Sequence, residues 1–347
     1  MTKRAKVGLI LSLTTMASTV AATPSRADLL TNWSLVTTGD LYAGHNVQGT
    51  VRVGGGLYVQ NSFEVASKPS SPELKYPSLL VGGDVKAGKN PETVKILRGD
   101  GVIGGTINGA SDNKARIVSA RDGGVVKVDP GAAGFAASDD KELKASSQAF
   151  KEMKDEGQSV VLSTKQVDTA RFTVMTVDSN GNAVFHVDGE RLFENNKVRG
   201  FSLDLNGYKF GEGQSVVFNV SGVDLDFRNG LNFDGAFRTS FSNILWNFYE
   251  AGEIDLNRNN FAGTLLAPDA LLTDNNTIDG SVFVKSFGTS YKDGMGAGIR
   301  GPLYAGYDPS TVRIESVPIP STPEPSGLAM AGLAVLCGAA WRIRRRV

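Results

Sequence analysis

Asp224 and Asp226 are the side chains whose types and spacing come closest to doing chemistry. Alternate residues of a strand face the same way, so Asp224-Leu225-Asp226 sets two carboxylates on one surface. Such a pair can act on a glycosidic bond as acid and base, given a suitable separation. That chemistry defines one function class, a carbohydrate-active enzyme (polysaccharide lyase or hydrolase) on a β-helix scaffold. A solvated strand face in an acidic protein is the plainer reading and the stronger one. The chain has two histidines, His45 in the turn Gly44-His45-Asn46 and His186 in a strand. Neither has Cys or Glu neighbours at metal-ligand spacing, and neither lies in a nucleophile motif. Asp178-Ser179-Asn180-Gly181-Asn182 supplies oxygens as a calcium loop does. Its Gly comes too early, however, and position twelve is Gly189 instead of a bidentate Glu. A hairpin turn explains that segment better, and Asp274-Asn275-Asn276 reads as a turn for the same reason. No Gly-rich phosphate loop with a Lys is present. The expectation is no catalytic residue, no metal and no cofactor.

The elements that carry these groups are strands built on a repeated phrase. Phe261-Ala262-Gly263-Thr264-Leu265-Leu266 is answered by Ile278-Asp279-Gly280-Ser281-Val282-Phe283, with the two glycines 17 positions apart (280 less 263). Ala267-Pro268-Asp269-Ala270 interrupts regular pairing between them, because Pro lacks an N–H. Strand, corner, strand, corner and a return to the same phrase is how one coil of a β-solenoid reads. Val47-Gln48-Gly49-Thr50-Val51 and Ile103-Gly104-Gly105-Thr106-Ile107 echo the phrase. Val53-Gly54-Gly55-Gly56-Leu57 and Val81-Gly82-Gly83-Asp84-Val85 form a second echo. The predicted fold class is all-β: a right-handed parallel β-helix (β-solenoid) with one flanking α-helix, plus a C-terminal transmembrane helix.

The flanking helix is predicted over residues 138–157. Asp139-Asp140-Lys141-Glu142 has the form of a helix start. Leu143, Ser146, Phe150 and Met153 then make one apolar stripe, and Gly157 can close the helix. Residues 67–77 read as a projecting Ser/Pro-rich loop, and Phe172 to Val187 as a hairpin around Asp178–Asn182.

The chain has 36 basic and 36 acidic residues, but the ends are basic. Without Lys3, Arg4, Lys6, Arg26, Arg342, Arg344, Arg345, Arg346 and Glu324, 36 less 8 bases face 36 less 1 acids, a net charge of −7. An acidic body does not favour nucleic acid or anionic lipid. Lys3, Arg4 and Lys6, the apolar run from Val7 to Leu13 and Ser25-Arg26-Ala27 read as a secretory signal cut between Ala27 and Asp28. Val20-Ala21-Ala22 is the competing site, and an uncleaved anchor the alternative, though the run is short for a span. The one cysteine, Cys337, lies in the tail, so the body has no internal disulfide. Beyond a Pro-rich spacer, the apolar run Gly327 to Ala340 is short for a bilayer helix, which needs roughly 17–25 residues. Trp341 and the cytoplasmic arginines Arg342, Arg344, Arg345 and Arg346 can extend it at the interface.

Pro323-Glu324-Pro325, a short apolar segment and a terminal Arg cluster resemble the PEP-CTERM sorting signal of bacteria that export surface proteins alongside exopolysaccharide. That resemblance implies recognition by an exosortase, a membrane cysteine transpeptidase. The body is similar to the choice-of-anchor A domain, an adhesive domain found upstream of several alternative surface anchors. Gly39-Asp40-Leu41 with Val51-x-Val53-Gly54-Gly55, and Val217-Phe218-Asn219-Val220-Ser221-Gly222, carry part of this likeness. Trp246-Asn247-Phe248 and Gly263-Thr264-Leu265-Leu266-Ala267-Pro268 with Asp279-Gly280-Ser281-Val282 carry the rest. Asp269 and Asp279 stand where family members tend to carry Asn. The expected organisation is a signal peptide (1–27), the adhesive β-helix (28–304), the spacer (305–322) and the sorting segment (323–347). The expected function is a non-enzymatic surface adhesin or structural part of an extracellular polysaccharide (biofilm) matrix. The expected partners are signal peptidase, exosortase and a surface polysaccharide, with no nucleic acid.

Overall fold

A computed structural model describes residues 29–59, 62–70, 73–87, 93–108, 118–155, 157–162, 166–274, 276–289, 296 and 298–309. Most strands in the first half are three residues long and alternate buried, half-buried, buried, as in Leu41–Ala43, Val51–Val53, Leu57–Val59 and Leu79–Val81. Such short strands cannot stand alone. Each pairs in parallel with its counterpart one coil away, giving three columns. Leu35, Val51, Leu79, Gly101 and Val126 are successive partners in the first column. Leu41, Leu57, Val85 and Ile107 follow in the second, and Phe63, Val94 and Val118 in the third.

The repeated phrase is one coil. Phe261 pairs with Ile278 and Leu265 with Val282, both at the 17-residue offset, and Gly263 N–H donates to Asp279 O at 2.9 Å. The register shifts between Ala267 and Leu271, where Pro268 had marked a break. Gly49-Thr50 occupies the same corner, since Val51 pairs with Leu35 and Leu35 with Val282. Gly105-Thr106 does not. It lies at the next corner, level with Gly55-Gly56 and Gly83-Asp84, and Gly105 N–H donates to Gly83 O and Gly83 N–H to Gly55 O. The second echo is therefore the real companion of Ile103-Gly104-Gly105.

The coils do not stack in chain order, as a simple helix of strands would. Leu35–Thr37 pairs with Val51–Val53 on one side and with Val282–Val284 on the other. The chain thus starts in the middle of the stack and builds outward to Val126–Val128. It crosses back along a 16-residue helix, Ala136–Lys151, about 24 Å long. It then restarts at the far end with Ala183–Asp188 and builds inward through Val216–Ser221, Ile244–Phe248 and Thr264–Thr273 to close beside Leu35.

Four local expectations are corrected. The strands Asp168–Thr173 and Ala183–Asp188 do not form a hairpin, because they pair in different sheets. The Asp178–Asn182 turn is a corner between them. The antiparallel pair among the described strands is Ser159–Val161 with Arg171–Thr173. The helix begins at Ala136, so Asp139 is not its cap; its carboxylate is buried against Arg52. The helix ends at Lys151, short of Gly157, although Gly157 does take φ +90. The 67–77 segment folds back, with Glu73 buried: Oε1 accepts from Ser34 Oγ (2.9 Å), Thr50 N (2.8 Å) and Thr50 Oγ1 (3.1 Å). Gly49 leaves the room, since a Cβ there would lie 2.1 Å from that oxygen.

The two halves fill their cores differently. Val, Leu and Ile dominate up to Val118, whereas the second half stacks aromatic rings. Phe185 and Phe218 lie 4.8 Å apart, Phe218 and Trp246 4.1 Å, and Phe193 and Phe227 3.9 Å, each within 16° of parallel. Phe185, Phe218 and Trp246 are successive ladder partners, and strands in register stand about 4.8 Å apart, so these rings stack by construction.

Corner carboxylates tie adjacent coils. Asp40 Oδ1 accepts from Gly56 N at 2.7 Å, and Asp100 Oδ1 from Val125 N at 2.9 Å. Asp84 Oδ1 accepts from Thr106 N (2.8 Å) and Oγ1 (2.9 Å). The backbone bond first, and then the hydroxyl, hold its pKa below the ordinary 3.8. A carboxylate depressed in the folded state contributes stability that is present above 3.8 and lost as pH falls through the folded value. Asp84→Asn is expected to reduce the drop in urea midpoint as pH falls below 3.8. An unchanged acid limb would rule this tie out.

Candidate functional site

The first column's outer face is covered. Val36, Val184, Val217, Leu245, Leu266 and Phe283 point outward there and are buried by Leu143 and Phe150 of the helix, with Trp33, Leu29, Leu30 and Tyr304. Two asparagines sit among them, fully buried. Asn219 pairs with Asn247 across the ladder, and His186 with Asn219. Asn247 Nδ2 donates to Ser147 O at 2.8 Å, Asn219 Nδ2 to Phe150 O at 2.6 Å, and His186 Nε2 lies 2.8 Å from Met153 O. Three helical residues rise about 4.5 Å, close to the strand spacing of about 4.8 Å, so each strand meets one carbonyl. Ser147 Oγ closes the network on Asn247 Oδ1 at 2.6 Å, and Asn247 Nδ2 also donates to Asn219 Oδ1 at 2.8 Å. The ladder adds a second bond to carbonyls of the last helical turns, since Phe150 O also accepts from Met153 N at 3.1 Å. At the other end Arg52 pairs with Asp139 and lies 4.1 Å from the Phe135 ring centroid. Burial pushes the Asp139 carboxyl up, against the downward pull of Arg52.

Tyr304 caps this face beside Ser215. Its hydroxyl donates to Tyr307 O at 2.9 Å and accepts from Ser215 Oγ at 2.9 Å. Burial raises its pKa far above the ordinary range, so the hydroxyl stays protonated.

The second column's face is open. Asp224 and Asp226 flank buried Leu225 and are exposed, as the strand alternation required. Their partners across the ladder are Glu253 and Asp255. The pair therefore belongs to a row of like charges. In the first half Tyr42 and Tyr58 stack at 4.6 Å and 12°, with Lys86 Nζ 5.3 Å from the Tyr58 centroid. These rings spend faces on each other.

The remaining candidates separate widely. His45 is exposed at its turn. Asp178 Oδ1 accepts from Asn180 N and Asn182 N, both at 2.8 Å, so the calcium-like segment holds its own turn. Among the described residues no group of His, Cys, Asp and Glu could hold a metal ion. Pro323, Glu324, Pro325, Arg342, Arg344, Arg345, Arg346, Ala27 and Asp28 lie outside the described residues, as does the apolar run 327–340. No described helix is long and apolar enough to cross a membrane. Asn219 and Asn247 were not singled out as functional from sequence. An Asn flanked by large apolar residues in two successive buried strands was the available signal.

A family model described as "Putative Ice-binding-like adhesive domain" matches residues 26–294. A second, the "PEP-CTERM protein-sorting motif", matches residues 321–346. No curated protein matches the sequence. Among solved structures, the Shewanella frigidimarina ice-binding protein_1 DUF3494 domain is similar at 11% identity. That similarity covers 80% of this chain and 95% of that one, with a TM-score of 0.29. The first family match spans most of the described solenoid, and the chain therefore belongs to the ice-binding-like adhesive domain family, with a PEP-CTERM sorting motif following that domain.

Proposed function

We propose that this chain is an exported bacterial surface protein, an adhesin or structural part of an extracellular polysaccharide matrix. The observation that carries the reading is the order of the two matches: an adhesive domain at 26–294 followed by a sorting motif at 321–346. We read the body as of the choice-of-anchor A type, and its winding as right-handed, the hand that parallel crossovers adopt. The family is a non-enzymatic adhesive one, which sets aside the enzyme reading of Asp224 and Asp226.

In this proposal the leader directs export and signal peptidase cuts between Ala27 and Asp28. The apolar run Gly327 to Ala340 halts the chain in the inner membrane as a transmembrane helix. Arg342, Arg344, Arg345 and Arg346 fix its orientation, since carrying each charge through hydrocarbon costs about 2.5–3.5 kcal/mol. Pro323-Glu324-Pro325 is held extended just outside, where an exosortase can grip unpaired backbone. Mass spectrometry of the extracellular protein is expected to find a form starting at Asp28 and lacking Gly327 to Val347. An intact C-terminus at Val347 in that fraction would overturn the sorting proposal.

A further inference from the structure

The third column of strands stops and restarts. Asn232–Gly235 pairs with Gly200–Leu203 on one side, and Phe261–Ala262 with Ile278–Asp279 on the other. No ladder joins Asn232–Gly235 to Phe261–Ala262 among the described residues. Side chains bridge the interior instead. Asn259 Oδ1 accepts from Gly230 N and Leu231 N, both at 2.8 Å, while its Nδ2 donates to Arg228 O and Leu256 O. Trp246 Nε1 donates to Ala262 O at 3.1 Å. The rings of Phe233 and Phe261, 5.2 Å apart, form the floor.

Over that floor lies a groove of about 550 Å³, within the range of roughly 300–1,000 Å³ typical of small-ligand sites. Asn232, Asp234, Arg238, Asn260, Asp279 and Arg300 line it. Arg300 is bound to Asp279 by two hydrogen bonds. The side chains of Asn232, Arg238 and Asn260 have no partner among the described residues. Two carboxylates and two guanidiniums leave the lining without net charge. Two amides each offer a donor beside an acceptor, the complement of adjacent hydroxyls, which also donate and accept.

We propose that this groove binds a neutral hexose unit of an extracellular polysaccharide. The inference rests on the adhesive reading above and gives it a site. A polyuronate finds no net attraction in the lining and is repelled by the acidic body. An extended peptide would need free ladder groups, and Ala262 O is already engaged by Trp246.

The test is affinity electrophoresis of the full chain in mild detergent, through gels holding dextran, galactan or alginate. At least one neutral gel is expected to retard the protein. The double variant Asn232→Ala, Asn260→Ala is expected to bind at least tenfold more weakly there with an unchanged melting temperature. Arg238→Ala serves as a second variant and is expected to weaken binding too. Retardation of the double variant equal to wild type, or retardation by alginate alone, would overturn the proposal. Binding to extracted extracellular matrix separates the two readings. If wild type and double variant are retained equally, the groove proposal falls and adhesion stands. If wild type is not retained, both fall.

Discussion

Asn247→Ala is expected to lower the melting temperature by roughly 10 °C. The side chain is fully buried and serves three partners: Ser147 O, Ser147 Oγ and Asn219 Oδ1. Truncation strands Ser147 Oγ and Asn219 Oδ1 without water, while Ser147 O keeps its helical bond, and each buried unsatisfied group costs about 1–3 kcal/mol. Some relaxation brings the total to about 3–5 kcal/mol, and a domain near this size loses about 2–4 °C per kcal/mol. The damage should also be local. Hydrogen exchange is expected to rise first over residues 143–153, while the stacked core around Phe218 stays protected. A variant that melts like wild type with a protected helix would show that the asparagine ladder does not hold it.

Gly280→Val should be comparably severe for a different reason. Gly280 has φ +145, and a Cβ there would lie 2.3 Å from Gly263 O and 2.6 Å from Gly263 C. The neighbour is backbone of the adjacent coil and cannot swing aside. Backbone strain of about 1–3 kcal/mol adds to overpacking of about 1–3 kcal/mol. Gly123→Ala is the control, since Gly123 has φ +80 but nothing within 4 Å of its Cβ position. Calorimetry should find Gly280→Val far below Gly123→Ala. Equal melting of the two would argue that the coils do not approach as closely at this corner.

What could be read from the chain depended on how local the signal was. The pairing of Phe261 with Ile278 and of Leu265 with Val282 was visible because one coil is short and its corner needs a Gly. The apolar stripe Leu143, Ser146 and Phe150 was visible because helical periodicity is local too, and all three are buried. The start of that helix was misplaced because Asp139 and Glu142 mimic a capping box, while the carboxylate is claimed by Arg52, far away in sequence. The hairpin expectation failed because an Asp-Ser-Asn-Gly-Asn turn serves a corner as well as a hairpin. The groove escaped because its lining residues come from separate coils and no short window contains them.

Leu35 lies beside Val282, 247 positions later (282 less 35). The oldest strand of the body therefore waits for almost the youngest. Closing so long a loop carries an entropy cost that grows slowly with length, but the delay is a matter of sequence order. A chain threaded through a membrane from its N-terminus would hold Leu35–Thr37 on the far side, one edge unmatched, until Val282–Val284 arrived. The body would snap shut only after transit was nearly finished. A product truncated before Ser281 would keep that seam open, with the edges of Leu35–Thr37 and Thr264–Thr273 free to pair with another chain. Premature termination should thus yield aggregates, and the seam acts as a completeness check on the polypeptide.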